Sequence, residues 1–115
     1  MSILGLDYGE KHVGVAYADG ALAEPLTTLN NKSAIFEVKK LIKDLKIEKI
    51  IIGSCPEAFL KSLQKISEVE QIDETLSSHD ARIALFHTTK TRRKEKEHAV
   101  SATIILQTWL DSCKV

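Results

Sequence analysis

The apolar positions along this chain recur with two periods, and the change from one to the other marks its elements. Alternation by twos and short aliphatic runs are typical of strands, whereas recurrence every three or four residues is typical of helices. The segments with strand character are one containing Ile3, Leu4 and Leu6, followed by His12–Ala18, Ala21–Leu29, Ile47–Ile52 and Val69–Glu74. The segments with helical character are Ser33–Leu45 with Ser33 as its cap, Pro56–Ile66, Ser77–Phe86 and Glu97–Ser112, with a basic loop at Thr88–Lys96.

The order of these elements predicts a mixed sheet. The pair Asp19-Gly20 suits a tight hairpin turn, so the second and third strands should run antiparallel. Pro25 cannot donate to a strand ladder, which favours an edge position for the third strand. Ile47–Ile52 is aliphatic on both faces, the pattern of a strand covered by helices on two sides. We therefore expect an α/β fold with right-handed crossovers.

Size and composition predict one ordinary core. The 115 residues, 43% of them hydrophobic, are most simply one domain spanning 1–115. The apolar runs are far shorter than a membrane span, and the first residues already have a strand pattern, so we expect a cytoplasmic protein without a membrane segment. Cys55 and Cys113 are too few for a disulfide framework and should be reduced thiols. Sixteen basic and sixteen acidic residues cancel, so net charge does not decide whether nucleic acid is a partner.

Three strand ends carry candidate chemistry. Asp7 ends the first strand before the Gly9 turn, Gly53–Cys55 follows the fourth, and Asp73 and Glu74 end the fifth. Ligands of open α/β sheets gather at the carboxyl ends of the strands, so these groups should lie along one edge. An acid before a glycine is also a common turn former, and an acidic strand end can simply be solvated. The residues alone leave both interpretations open.

Basic residues near the predicted acids are candidate phosphate contacts. Residues 90–96 contain five basic residues and one acid, and they precede the last predicted helix. Such a run is usually a solvated loop, but here it would suit a nucleic-acid backbone, which is bound in a salt-dependent and sequence-independent way. The candidate nucleic-acid-binding residues are Lys11, Lys90, Arg92, Arg93 and Lys94.

Five segments in collinear order carry a family resemblance. They are Gly5–Ala16, Ala23–Leu26, the Ile51-Ile52-Gly53-x-x-Pro56 turn, Asp73–Ser78 with Ala81, and Ala99–Leu110. Together these segments resemble the bacterial YqgF family, also called RuvX, described as pre-16S rRNA nucleases and Holliday-junction-resolvase-like proteins. The resemblance implies a ribonuclease H-like fold, a mixed five-stranded sheet with flanking helices. An Asp-x-Gly turn also occurs in sugar kinases and actin-like ATPases, but 115 residues leave no room for their second lobe.

The resemblance also implies a metal-dependent nuclease site. Two Mg²⁺ or Mn²⁺ ions held by carboxylates would activate water and compensate charge on the attacking and leaving oxygens. By that resemblance Asp7, Glu74 and Asp73 are the expected metal ligands, and Asp7, Glu74 and His98 the expected catalytic residues. The expected partner is precursor rRNA, processed at the 5′ end of 16S rRNA, or branched DNA. A homodimer is expected if the substrate is a symmetric junction.

This chain departs from the family pattern at three places. His98 stands where the family has its third acid, and neighbouring Glu97 or Glu95 could substitute for it. Thr75 replaces the usual arginine, and the region Pro56–Ser67 is shorter than usual. An imidazole can bind a metal or transfer a proton, but it favours softer ions than Mg²⁺. A nucleic-acid-binding module that has lost turnover is therefore an alternative hypothesis.

The remaining polar candidates are interpreted as structural. His12, His79 and His87 have no partner visible in the sequence and are predicted to be surface or packing residues. Cys55 lies at a strand end, but no activating histidine and acid can be identified for it, so packing is the preferred role.

Overall fold

A computed structural model describes residues 2–72 and 94–112, except for the side chains of residues 94–97. Within these ranges five strands form one sheet in the order β3-β2-β1-β4-β5. The elements in chain order are β1 (Ile3–Asp7), β2 (His12–Ala18), β3 (Ala23–Asn30), a 3₁₀ turn (Asn31–Ser33), α1 (Ala34–Leu45), β4 (Lys49–Ile52), α2 (Glu57–Gln64), β5 (Val69–Gln71) and α3 (Lys94–Ser112). The predicted α/β mixed sheet with flanking helices is confirmed.

The strand directions place one set of strand ends at the same edge. β1 pairs antiparallel with β2, and β2 antiparallel with β3, while β1, β4 and β5 run parallel. The carboxyl ends of β1, β4 and β5 therefore share an edge. β3 lies at the border of the sheet, as Pro25 predicts, and the register between β2 and β3 shifts where Ala16 faces Pro25.

Apolar clusters cover both faces of the sheet. On one face, side chains from β1, β2 and β4 pack with α1 and α2, and the cluster includes Leu4, Val15, Ile50, Val38 and Leu63. On the other face α3 packs over the sheet, and the cluster includes Ile3, Ala16, Ile51, Ala102 and Leu106. Ile50, Ile51 and Ile52 are fully buried, so the aliphatic run of β4 is covered on both sides as predicted.

Two glycines allow α3 to lie directly on the sheet. A Cβ at Gly5 would stand 2.6 Å from the Leu106 Cβ and 2.9 Å from the Ala102 carbonyl oxygen. A Cβ at Gly14 would overlap the carbonyl group of His98. The small residues on this face of β1 and β2 thus determine how closely the helix approaches, and they fix the position of its first turns.

Two local predictions differ from the structure in detail. The turn between β2 and β3 is the four-residue segment Asp19–Leu22, not a two-residue Asp19-Gly20 turn. Ser33 is the N-cap residue of α1 as predicted, but its side chain makes no capping hydrogen bond. The 3₁₀ turn before α1 has its own cap, Asn30, whose side chain accepts from the Lys32 N–H.

The last helix begins earlier than predicted. Lys94–Lys96 belongs to α3 and not to a loop, and these residues are good helix formers with no glycine or proline to stop the helix. The predicted helix Ser77–Phe86 and the rest of the predicted basic loop lie outside the described residues. Within the described ranges, no helix is long and apolar enough to cross a membrane.

Candidate active site

Asp7 occupies a rigid place at the carboxyl end of the central strand. It is the last residue of β1, which has β2 on one side and β4 on the other. In the β1–β2 register Asp7 lies opposite Gly14. Its side chain is 18% exposed, so the carboxylate is largely enclosed but still reached by solvent.

α3 brings His98 beside Asp7. The His98 Nδ1 lies 3.8 Å from the Asp7 Oδ2, and the imidazole is 33% exposed. Gly14 explains this proximity, because it is the register partner of Asp7 and its missing side chain leaves room for the backbone of His98. The absence of a side chain at Gly14 therefore lets α3 bring His98 beside Asp7.

A second histidine stands next to the first. The rings of His12 and His98 have centroids 5.7 Å apart and are tilted by 38°. His12 is half-buried and packs against this ring, which agrees with the predicted surface or packing role. Its neighbour His98 was not visible in the sequence, because it is distant along the chain and is brought there by α3. His79 and His87 lie outside the described residues.

The turn after Asp7 is fixed by Asn31. The Asn31 Nδ2 donates to the Gly9 carbonyl oxygen at 2.6 Å, and its backbone N–H donates to the Lys11 carbonyl oxygen at 2.9 Å. On the other side of the turn, the Tyr8 ring meets the Phe59 ring of α2 edge-on, with centroids 4.7 Å apart. Sequence reasoning missed Asn31, although an Asn-Asn pair before a helix is a signal for local side-chain to backbone bonds.

Several predicted site residues lie where the structure gives no side-chain position. Asp73, Glu74, Lys90, Arg92 and Arg93 lie outside the described residues. Lys94, Glu95 and Glu97 belong to the first turns of α3. Lys11 is exposed at the β1–β2 turn, as its proposed role requires.

The turn after β4 has a structural role. The Gln71 Nε2 donates to the Gly53 carbonyl oxygen at 3.0 Å and lies 4.0 Å from the Cys55 Sγ. Cys55 is half-buried and packs against the apolar cluster of α1 and α2. Ile72 continues the β4–β5 pairing, since its N–H donates to the Ile52 carbonyl oxygen at 2.8 Å.

A charged cluster at the opposite end of β4 is separate from Asp7. The Lys49 Nζ lies 2.8 Å from a Glu70 carboxylate oxygen and 3.5 Å from one of Glu68, and 5.0 Å from the centre of the Trp109 ring. The hydrogen bond to Glu70 raises the pKa of Lys49, and hydrogen bonds from Lys49 and Trp109 lower the pKa of Glu70. Lys49 pairs with Ile3 at the start of β1, so this cluster stabilises the far edge.

The separation of Asp7 and His98 does not exceed the span of two ligands on one divalent ion. Two donor atoms that bind one ion at about 2.1 Å each can lie no more than about 4.2 Å apart. The distance from the Asp7 Oδ2 to the His98 Nδ1, 3.8 Å, is below this limit. In the part of the chain that the structure describes, no group of three His, Cys, Asp or Glu side chains could hold a metal ion, so a third protein ligand would have to come from elsewhere.

Solved structures define the class of fold. RuvC of Thermus thermophilus in complex with a Holliday junction substrate aligns with a TM-score of 0.63 at 11% identity, covering 98% of this chain and 96% of that one. The fowlpox virus resolvase, solved with a Holliday junction DNA, aligns with a TM-score of 0.71 at 9% identity over the full length of both chains. These likenesses and the mixed sheet define a ribonuclease H-like domain, as predicted.

Sequence comparisons define the family. The family model RuvX, described as Holliday junction resolvase, matches residues 1–58 and 55–112. A relative from Sulfurihydrogenibium named "Putative pre-16S rRNA nuclease" is 37% identical, covering 95% of this chain and 89% of the relative. One of the same name from Caldanaerobacter subterraneus is 34% identical over 99% of each chain. The chain belongs to the RuvX family.

The two segments matched by the family model overlap at residues 55–58, which include Pro56. α2 begins at Glu57, with Pro56 in an extended conformation before it. The overlap therefore lies beyond β4, outside the sheet that carries Asp7.

Proposed function

We propose that this chain is a metal-dependent endonuclease of structured nucleic acid, and that its substrate is the 5′ end of precursor 16S rRNA. The observation that carries the proposal is the Asp7–His98 pair at the carboxyl end of β1. The names of the relatives support a nuclease, and the placement of the pair supports a site on the strand-end edge where ligands of α/β sheets gather.

In this proposal Asp7 and His98 are ligands of one divalent ion. Asp7 supplies a hard oxygen donor on a strand that cannot move without breaking the sheet, and His98 supplies Nδ1. A bound ion would activate water and compensate negative charge on the phosphate. Because an imidazole suits softer ions, the site should prefer Mn²⁺ to Mg²⁺.

We further propose that Glu74, with Asp73 beside it, completes the site. Both residues follow Ile72 in the sequence, whose hydrogen bond to Ile52 extends the β4–β5 pairing toward the edge where β1 ends. This would supply a third donor besides Asp7 and His98. Lys11, Lys90, Arg92, Arg93 and Lys94 are proposed to contact the phosphate backbone. The activity belongs in the cytoplasm, where bacteria process precursor rRNA.

Two other functions have specific support. The description of the family model favours resolution of branched DNA, for which a homodimer would match a two-fold symmetric junction. The histidine at the position of the family's third acid favours a nucleic-acid-binding module without turnover. The same phosphate contacts would serve all three functions, so only a cleavage assay separates them.

The test is cleavage of two labelled substrates, a precursor 16S rRNA fragment and a four-way DNA junction. With Mn²⁺ the chain should cut the RNA, and EDTA should stop the reaction. Asp7→Asn removes a charged ligand and should lower the single-turnover rate at least about 10²-fold, while far-UV circular dichroism stays unchanged. Asp44→Asn, the same change at an exposed position of α1, is the control and should keep full activity.

The outcomes separate the three functions. Cutting of the junction but not of the RNA would favour the resolvase. Salt-sensitive binding without cleavage in any divalent ion would favour the inactive binder. Full cleavage by Asp7→Asn would contradict the site itself.

A further inference from the structure

Beside the Asp7–His98 pair the surface has a depression in which only Lys11 has been given a binding role so far. It has a volume of about 280 Å³ and is lined by Glu10, Lys11, His12, Asn30, Asn31 and Lys32. His12 connects it to the candidate active site, because its ring stands 5.7 Å from that of His98. The depression thus lies one side chain away from the proposed metal ligands.

The sheet register brings together two lysines from distant parts of the sequence. His12 pairs with Asn30 at the end of the β2–β3 ladder. Lys11 and Lys32 lie just beyond this last pair, and the backbone bond from the Asn31 N–H to the Lys11 carbonyl oxygen closes the gap between their segments. Both lysines are exposed, and neither forms an ion pair with a described residue.

Hydrogen bonds within the chain hold the backbone segments that form the depression. Asn31 holds the turn through the Gly9 carbonyl oxygen, at 2.6 Å. The Asn30 Oδ1 accepts the Lys32 N–H at 2.9 Å, which leaves the amide nitrogen of Asn30 as the donor for a ligand. Two ammonium groups and a side-chain amide on an ordered backbone provide the donors that a phosphodiester oxygen needs.

We propose that this depression is a phosphate subsite for the substrate strand, with Lys32 and Lys11 as its cations and Asn30 as a neutral donor. It would hold the phosphate next to the one at Asp7, and so direct the strand from the β1–β2 turn toward the start of α1. The inference rests on the proposed function, since it requires a nucleic-acid strand at Asp7. Glu10 also lines the depression, and its carboxylate would repel a bound anion. Removing its charge should therefore change the binding affinity in the direction opposite to removing the charge of a lysine.

The experiment measures binding and not cleavage. The affinity of a labelled RNA hairpin and of a DNA four-way junction is measured in EDTA, which prevents metal-dependent cleavage, across a series of salt concentrations. Lys32→Gln should weaken binding on the order of three- to tenfold near 0.1 M salt and reduce the slope of log K against log salt by about 0.7 to 0.9. Glu10→Gln should strengthen binding.

The control is Lys39→Gln, the same charge change on an exposed residue of α1 that does not line the depression. It should leave the salt slope unchanged. A neutral methylphosphonate linkage, moved along the RNA, should abolish the difference between wild type and Lys32→Gln at one position only, since Lys32 would then have no charge to contact.

Three results would overturn the subsite. The first is an equal salt slope of binding for Lys32→Gln and Lys39→Gln, and the second is weaker binding by Glu10→Gln. The third is that the wild type binds neither nucleic acid. Cleavage with equal slopes would mean that the nuclease proposal holds and the subsite is wrong. A reduced salt slope for Lys32→Gln without cleavage by the wild type would mean that the subsite holds and the nuclease proposal is wrong.

Discussion

Asp7 and His98 are held next to each other by different kinds of contact. Asp7 is held by the hydrogen bonds of the central strand, with Gly14 opposite it. His98 is held by the packing of α3 on that same glycine. Neither backbone position depends on a loop, and the side chains placed there bring the Asp7 Oδ2 within 3.8 Å of the His98 Nδ1. If the two groups bind one ion as proposed, little free energy is needed to order them.

At the residue scale, the identity of the ligand at position 98 should control metal preference. His98→Asp replaces an imidazole nitrogen with the harder oxygen that Mg²⁺ prefers. We therefore expect the ratio of the cleavage rate in Mg²⁺ to that in Mn²⁺ to rise about tenfold or more in this variant, measured under single-turnover conditions.

The matched control for this change is His12→Asp, which makes the same substitution at the histidine whose ring contacts that of His98. The 3.8 Å contact with Asp7 is made by His98, and His12 meets the ring of His98. His12→Asp should therefore leave the Mg²⁺ to Mn²⁺ ratio close to that of the wild type. An unchanged ratio in His98→Asp would mean that the imidazole does not bind the ion.

At the scale of elements, the contact between α3 and the sheet connects stability to the site. Gly5 and Gly14 both lie under α3, but Gly5 meets Leu106 and Ala102, while Gly14 meets His98 and Ala99. A Cβ at either glycine should cost about 1–3 kcal/mol, as overpacking of a core usually does. The Cβ at Gly14 would overlap His98 itself, whereas the Cβ at Gly5 meets the helix further along, at Ala102 and Leu106.

Gly14→Ala and Gly5→Ala should therefore separate stability from function. We expect both to lower the free energy of unfolding in urea, and Gly14→Ala at least as much as Gly5→Ala, because its Cβ would overlap the backbone of α3 more closely. Mn²⁺ affinity, measured by calorimetry below the unfolding transition, should fall at least about tenfold in Gly14→Ala and much less in Gly5→Ala. Equal losses of affinity would show that the placement of His98 does not depend on Gly14.

At the scale of the whole molecule, periodicity predicted most of the architecture. β2 has the predicted bounds, Pro25 correctly indicated the edge strand, and the aliphatic run before Gly53 correctly indicated a strand covered on both faces. These features could be predicted because each depends on which side chains a strand must bury or which N–H it lacks.

Features that depend on tertiary contacts could not be predicted in this way. The side-chain cap at Asn30 belongs to a 3₁₀ turn that was not predicted before α1, and His12 has a neighbour because α3 packs on β2. The Asp7–His98 proximity was expected only from the family resemblance, since 91 residues of sequence separate the two. Asn31 and Lys32 were not predicted as site residues, because the register of β2 and β3 that brings them to Lys11 is not visible in the sequence.

The central claim is that Asp7 and His98 bind one divalent ion together, and pulsed electron paramagnetic resonance of the Mn²⁺-loaded chain tests it most directly. The account predicts a ¹⁴N coupling from a directly bound imidazole. That coupling should disappear in His98→Gln and persist in His12→Gln, while Asp7→Asn should weaken Mn²⁺ binding at least about tenfold. A spectrum of bound Mn²⁺ without nitrogen coupling in the wild type, or a coupling lost only in His12→Gln, would contradict the account.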